Sequence, residues 1–363
     1  MIICCTFFHN LLAQQSDNRN TTYLPVVIHI LHSEEEQNIS NDQIIQQLET
    51  LNKDFSQNND NFDSTPQVFQ NVAANTDLQF CLANRDPQGN ETSGITRTET
   101  FVSEIGLSEL YFLTDEGGIN AWDNSRYINI WVADMGDSGI LGSTPIPGDG
   151  SPSAKDGILV NYRFFGVEGD HQDINRNQGK VLTHEMGHYL GLLHVWGTLN
   201  TNCSDDDGID DTPLQDGPNF GCPTFPSPDI CTQGNGVMFH NFMDFSDDDC
   251  LSMFTQGQKE LMHQTLEEFR PELMENADMN CIVSTAENEL PSFEIYPNPT
   301  NEFVFIKFER EELNRRIQLF DIKGRIVKDW VGTQREGPYF IEDLPAGIYY
   351  LVVAQSVQKV IVY

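Results

Sequence analysis

The segment His184-Glu185-Met186-Gly187-His188 holds the densest chemistry in the chain. On a helix, residues four apart share one face, so both imidazoles can reach a single ion. Glu185 lies one position on, where it cannot be a third ligand but can touch a metal-bound water. The continuation Tyr189-Leu190-Gly191-Leu192-Leu193-His194 adds a glycine able to take the positive φ that turns the chain out of the helix, then a third nitrogen. Three protein ligands leave one corner of a tetrahedral Zn²⁺ open for water, as in a catalytic site. The plain alternative is a core helix with incidental histidines. Two glycines, each costing such a helix about 1 kcal/mol, count against it.

The chemistry follows from the donor set. Zinc lowers the pKa of its water to about 7 in such sites. Glu185 accepts that proton as general base, the hydroxide attacks a polarised carbonyl, and the same carboxyl passes the proton to the leaving amine. Amide hydrolysis is the reaction this assembly suits.

Positioning these groups requires a scaffold, and the pattern supplies one. Residues 23–31 (YLPVVIHIL), 78–83, 127–133 and 156–165 read as strands. Ser40 and Gln43 match a capping box, with Ile44, Ile45, Leu48, Leu51 and Phe55 on one helical face. Residues 179–193 form the helix that carries the motif. A further helix is expected over 258–274, with Leu261, Met262, Leu266 and Phe269 on one side. The alternation favours a mixed α/β layer. Residues 197–236, rich in Asp, Asn, Gly, Pro and Cys, are irregular; such a segment needs a function or staples.

Lys+Arg number 20 against 55 Asp+Glu, a formal charge of -35, which disfavours nucleic acid and anionic membranes and favours bound cations. Residues 290–363 hold 9 basic and 10 acidic residues, so nearly all the charge lies before them. That step suggests a domain boundary near residues 288–291. No apolar run reaches 18 residues, so no membrane span is expected. The opening MIICCTFFHNLLAQQ reads as a secretory signal over residues 1–13, although a basic n-region is missing and a ragged N-terminus is the alternative. Removing it leaves Cys81, Cys203, Cys222, Cys231, Cys250 and Cys281. In an exported chain this even count reads as three disulfides, with fifteen connectivities open. A thiolate zinc site is the rival, without a Cys-x-x-Cys pair to support it.

HEMGHYLGLLH resembles the metzincin metalloprotease signature, and Asn241-Phe242-Met243-Asp244-Phe245-Ser246 is similar to the metzincin Met-turn. The run from Cys250 to Gln258, with Leu51-Asn52-Lys53-Asp54-Phe55, Phe80-Cys81-Leu82-Ala83 and Gly94-Ile95-Thr96-Arg97, resembles the pappalysin branch over about residues 22–281. The resemblance implies an α+β catalytic domain over 22–284, with a twisted mixed sheet, backing helices and an irregular disulfide-bonded lower subdomain. It implies 156–165 as the edge strand that pairs with an extended substrate, and Met243 as a hydrophobic base under the zinc ligands His184, His188 and His194. It also implies the pairs Cys203–Cys231 and Cys222–Cys250, leaving Cys81 to pair with Cys281. Calcium at Asp207 and Asp211 is implied too, where the alternative is a solvated acidic loop. Asp248 aligns with an acid that receives a basic P1′ side chain in some relatives; ordinary surface is the alternative. Relatives usually carry Tyr two residues after the turn methionine, where this chain has Phe245 without a donor. A zinc-stabilised extracellular binding or adhesive protein with weak turnover is therefore the second expectation.

The tail shows short alternating strands between Gly/Pro turns, the pattern of a small all-β sandwich. Pro297-Asn298-Pro299, Asp321-Ile322-Lys323-Gly324-Arg325, Leu344-Pro345-Ala346-Gly347-Ile348-Tyr349 and the final Lys359-Val360-Ile361-Val362-Tyr363 resemble the C-terminal sorting domain of the type IX secretion system. The resemblance covers 293–363, after a linker at 285–292. It implies export through periplasm and outer membrane by that machinery, with protein or peptide substrates outside.

Overall fold

The structure is a computed structural model that describes residues 21–167, 174–198, 203–276, 281, 293–308, 315–321, 325–332, 336–342, 344–353 and 356–363. The expected signal and linker lie outside the described residues. Internal contacts divide the chain into two units, Met1–Val283 and Ser284–Tyr363.

In the first unit the central strand is β1, Thr22–His32. Its β-branched residues are buried on both faces, as suits a strand inside a largely parallel sheet. It runs parallel to β2 (Leu78–Leu82), β3 (Ile95–Glu99) and β4 (Ile128–Ala133), with Leu24 opposite Phe80, Ile30 opposite Arg97 and Ile28 opposite Ile130. Next come β5 (Gly142–Ser143), antiparallel, and β6 (Ile158–Asn161), which pairs with β4. The sheet order is β2-β1-β4-β6-β5, with β3 also on β1. Side chains alternate across the sheet. Val26, Ile28 and Ile30 meet the helices, while Leu31, Trp131 and Leu159 join a second cluster with Ile105 and Tyr111.

The helices are α1 (Asn41–Phe55), α2 (Gln67–Gln70), α3 (Lys180–Tyr189), α4 (Gln256–Phe269) and α5 (Pro271–Glu275). Ser40 caps α1 by accepting from the Gln43 amide at 3.1 Å. The reciprocal half of the expected box is not made, because the Gln43 side chain donates instead to the Phe165 carbonyl at 2.6 Å. Ile44, Leu48, Leu51 and Phe55 are buried, but Ile45 is exposed. The single helix expected over 258–274 is two, broken at Arg270 because Pro271 has no N–H to continue the ladder and instead opens α5. Phe269, at that break, is exposed and not on the buried face.

The edge strand differs from expectation. Residues 158–161 pair on both sides, and residues 162–164 form a 3₁₀ turn, so β5 and not the 156–165 strand forms the rim. Two residues, one of them glycine, are too short for a period-two pattern to register.

The described residues between 203 and 250 contain no helix or strand. Cys203 is bonded to Cys231, Cys222 to Cys250 and Cys81 to Cys281, with Cα separations of 5.3, 5.7 and 5.8 Å, ordinary for disulfides.

The second unit is all β. Strands β10 (Ile326–Gly332), β9 (Arg315–Asp321), β12 (Gly347–Val353) and β13 (Ser356–Val362) form one antiparallel sheet. Strands β11 (Glu336–Phe340), β8 (Phe303–Phe308) and β7 (Phe293–Tyr296) form the other. Phe293, Ile306, Leu319, Leu351 and Val360 fill its core. No helix among the described residues is long and apolar enough to cross a membrane.

Candidate active site

Helix α3 presents His184 and His188 on one face. Gly191, at φ 91°, turns the chain away where an L side chain would be strained. The turn delivers His194. His188 Nε2 lies 3.1 Å from His184 Nε2 and 3.2 Å from His194 Nε2. The opposite nitrogens explain the arrangement. His184 Nδ1 donates to the Phe242 carbonyl at 2.7 Å, and His188 Nδ1 donates to the Leu192 carbonyl at 2.8 Å. With the ring proton committed to Nδ1, each Nε2 offers only a lone pair, and two facing lone pairs cannot bond each other. Burial, with help from the neighbouring rings, pushes the His194 imidazole down to about 3 and lowers His184. Burial lowers His188 as well. Neutral, convergent imidazoles are the form that binds a metal ion, so this donor set fits zinc.

Met243 is fully buried beneath these rings. A Cβ at Gly187 would collide with its sulfur, so glycine there lets the helix settle onto the turn. Glu185 is only 7% exposed. The Thr144 hydroxyl donates to its Oε2 at 2.8 Å, from the residue after β5. Burial raises the Glu185 carboxyl to about 7, and the Thr144 hydrogen bond opposes that rise. The cleft between β5 and the Met-turn measures about 760 Å³, with Gly142, Glu185, His194, Phe220 and Asp248 in its lining.

Residues 115–267 match the metallopeptidase family described as Pregnancy-associated plasma protein-A. Residues 294–362 match the secretion system C-terminal sorting domain. An extracellular metalloprotease of Arthroderma benhamiae is 31% identical over 247 residues, covering 67% of this chain and 77% of the relative. A second from Trichophyton verrucosum is 29% identical over 266 residues, covering 71% and 78%. Mature mirolysin of Tannerella forsythia, solved with a cleaved peptide, is 41% identical with a TM-score of 0.67, over 72% of this chain and 98% of that one. The chain belongs to the pappalysin family of metalloproteases. As a pappalysin it is a zinc metalloendopeptidase, and its tail is the sorting domain of type IX export, which directs it outside the cell.

Asp248 is buried in the cleft lining. Its Oδ2 accepts the Gln178 amide at 2.8 Å, and Oδ1 has no hydrogen-bond partner among the described residues. Burial raises its carboxyl to about 6, against the pull of the Gln178 N–H, Arg176 and Lys180. Asp207 and Asp211 each spend one oxygen inside the protein, on the Thr212 hydroxyl and the Gly257 amide. The other oxygen of each is buried without a hydrogen-bond partner among the described residues. They do not join any cluster of three or more metal-donor side chains among the described residues, where only the histidine triad and Cys203, Asp216 and Cys231 do. Those two cysteines are bonded to each other. Phe245 packs against the site, its ring centroid 4.8 Å from that of His194 and 4.8 Å from Trp196.

Two cleft residues escape the sequence reading. Thr144 reaches Glu185 from 41 residues away with no periodic signal. The Arg176 guanidinium donates to the Ser246 carbonyl at 2.6 Å and to the Phe245 carbonyl, bracing the Met-turn.

Proposed function

We propose that His184, His188 and His194 hold one zinc ion and that Glu185 is the general base of peptide-bond hydrolysis. The observation that carries this reading is the convergence of three Nε2 atoms, two of them freed of the ring proton by their Nδ1–H bonds, beside a buried carboxyl group. Zinc held there would supply Lewis acidity toward the scissile carbonyl and toward water. Glu185 takes the proton of the attacking water as the oxygen bonds to the carbonyl carbon. It then delivers that proton to the amine nitrogen as the C–N bond breaks. Met243 supports the ligand rings from below without touching the metal. The substrate runs extended and antiparallel to β5, whose outer edge faces no further strand among the described residues.

Asp248, which lines the cleft, receives a basic P1′ side chain. Calcium is held by the Asp207 and Asp211 oxygens that have no hydrogen bond among the described residues, with main-chain carbonyls and water completing six to eight oxygens. The chain is organised as a signal over 1–13, a catalytic domain over 22–284, a linker over 285–292 and the sorting domain over 293–363. Its partners are extracellular protein or peptide substrates and the type IX machinery.

Casein hydrolysis by the purified protein, abolished by Glu185→Ala and by 1,10-phenanthroline, tests the catalytic reading. Full activity in Glu185→Ala would remove it. A peptide library tests the subsite: preference for Arg or Lys at P1′ is expected and lost in Asp248→Ala, whereas an apolar preference unchanged by that substitution would rule Asp248 out.

A further inference from the structure

We propose that Thr144 and Gly142 together hold the general base from across the cleft, so that the rim strand offered to the substrate also positions Glu185. The inference rests on the reading of Glu185 as base. Thr144 follows β5 directly, and its hydroxyl is the one hydrogen-bond partner of the Glu185 carboxylate among the described residues. A glutamate has three rotatable side-chain bonds and spreads over rotamers unless something selects one. A donor mounted on a separate element makes that selection. The element is itself anchored: Gly142 pairs with Val160, Ser143 pairs with Leu159, and the Asn161 amide donates to the Leu141 carbonyl at 2.9 Å.

Gly142 supplies the steric half. A Cβ built there would stand 2.6 Å from Glu185 Cγ and 2.8 Å from Oε1. Its φ is not among the positive ones, so the backbone does not require glycine. The carboxylate does. With Oε2 tied to Thr144, Oε1 is the oxygen left to take the proton, and the missing side chain gives it room. A hydroxyl also suits both states of the base, donating to the carboxylate and accepting from the acid. Thr144 acts through Glu185 and is therefore a positioning residue.

The test compares Thr144→Val, Thr144→Ser and Gly142→Ala in the full-length, zinc-loaded enzyme. Valine matches threonine in shape and removes the donor alone. Thr144→Val is expected to lower kcat on the order of tenfold with KM unchanged, and Thr144→Ser to recover to within about twofold. Gly142→Ala is expected to lower kcat at least as far. Zinc content and melting temperature should match wild type in all three. Affinity for an uncleaved peptide, measured by fluorescence anisotropy in the Glu185→Gln background, should be indifferent to Thr144→Val. Wild-type kcat in Thr144→Val, failure of serine to restore it, or a loss that tracks zinc or peptide affinity would each overturn the inference. If Glu185→Ala keeps its activity, the base reading itself is gone. If Glu185→Ala is dead while Thr144→Val is unimpaired, only the positioning role falls.

Discussion

Lys180 Nζ lies 2.5 Å from Asp54 Oδ1, and both side chains are sealed from solvent. The pair fastens the first residue of α3 to α1, and Thr183 Oγ1 adds a bond to the other Asp54 oxygen at 2.7 Å. Removing one member strands a buried charge. Asp54→Leu or Lys180→Met alone should lower unfolding free energy by about 3–5 kcal/mol, and the two combined by clearly less than either single change. Denaturant titration of the four proteins checks this. Additive losses would mean that the two charges do not compensate each other.

The loop at 203–212 is predicted to depend on calcium. Asp207 and Asp211 each keep a buried oxygen without a hydrogen bond among the described residues, which costs stability unless something positive meets it. Calcium at a hundred times its Kd would contribute about 2.7 kcal/mol. Melting with a calcium-selective chelator should therefore fall while zinc content stays constant, and Asp207→Asn should melt low with or without calcium. An unchanged melting curve after calcium removal would leave the loop explained by protein contacts alone.

The convergence of the three histidines was readable because its information is local: His184 and His188 are one helical turn apart, and Gly191 brings His194 in within three residues. The sheet was readable at β1 and β4, whose buried β-branched runs are long. The rim was not, since Gly142 and Ser143 form too short a strand to show a pattern, and Thr144 reaches Glu185 only through the fold. At Gln43 the local rule named the right residue for a cap, but the Phe165 carbonyl, 122 residues away, won the side chain. Phe269 failed similarly: helical spacing puts it on the face of Met262 and Leu266, but α4 ends at that residue and its side chain is exposed.

Acid stability should carry the signature of His29. The ring is fully buried between Trp122 and Trp131, with Nδ1 2.8 Å from Thr96 Oγ1 and Nε2 3.0 Å from Asn129 Oδ1. Burial lowers its pKa from 6.5 to about 4, against the pull of Asn129. Above pH 6.5 neither folded nor unfolded chain protonates it. Between about 6.5 and 4 the unfolded chain binds a proton that the folded chain refuses, so stability drops by up to roughly 3 kcal/mol and then levels off. Subtracting the stability profile of His29→Gln from that of wild type isolates this contribution. A difference that is flat across that pH window would show that His29 titrates alike in both states.

Phe245 sets the last expectation. Its ring lies edge-on to His194 and tilted toward His184, with centroids 4.8 and 5.5 Å away, and it lines the cleft, where an added hydroxyl is expected to meet substrate beside the proposed metal ligands. The pappalysin resemblance implies tyrosine at this position, and a well-placed oxyanion donor contributes about 3 kcal/mol where it has been removed from other enzymes. Phe245→Tyr should therefore raise kcat, by on the order of tenfold for a donor that the site did not evolve to aim. KM should move little, because the new bond forms to charge that develops only as the carbonyl is attacked. Steady-state kinetics on one peptide at fixed pH decides it. An unchanged kcat would mean that the oxyanion already has a donor elsewhere in the cleft, and a kcat that falls with weakened zinc binding would mean that the aromatic packing of His194, Trp196 and Phe245 matters more than the missing hydroxyl.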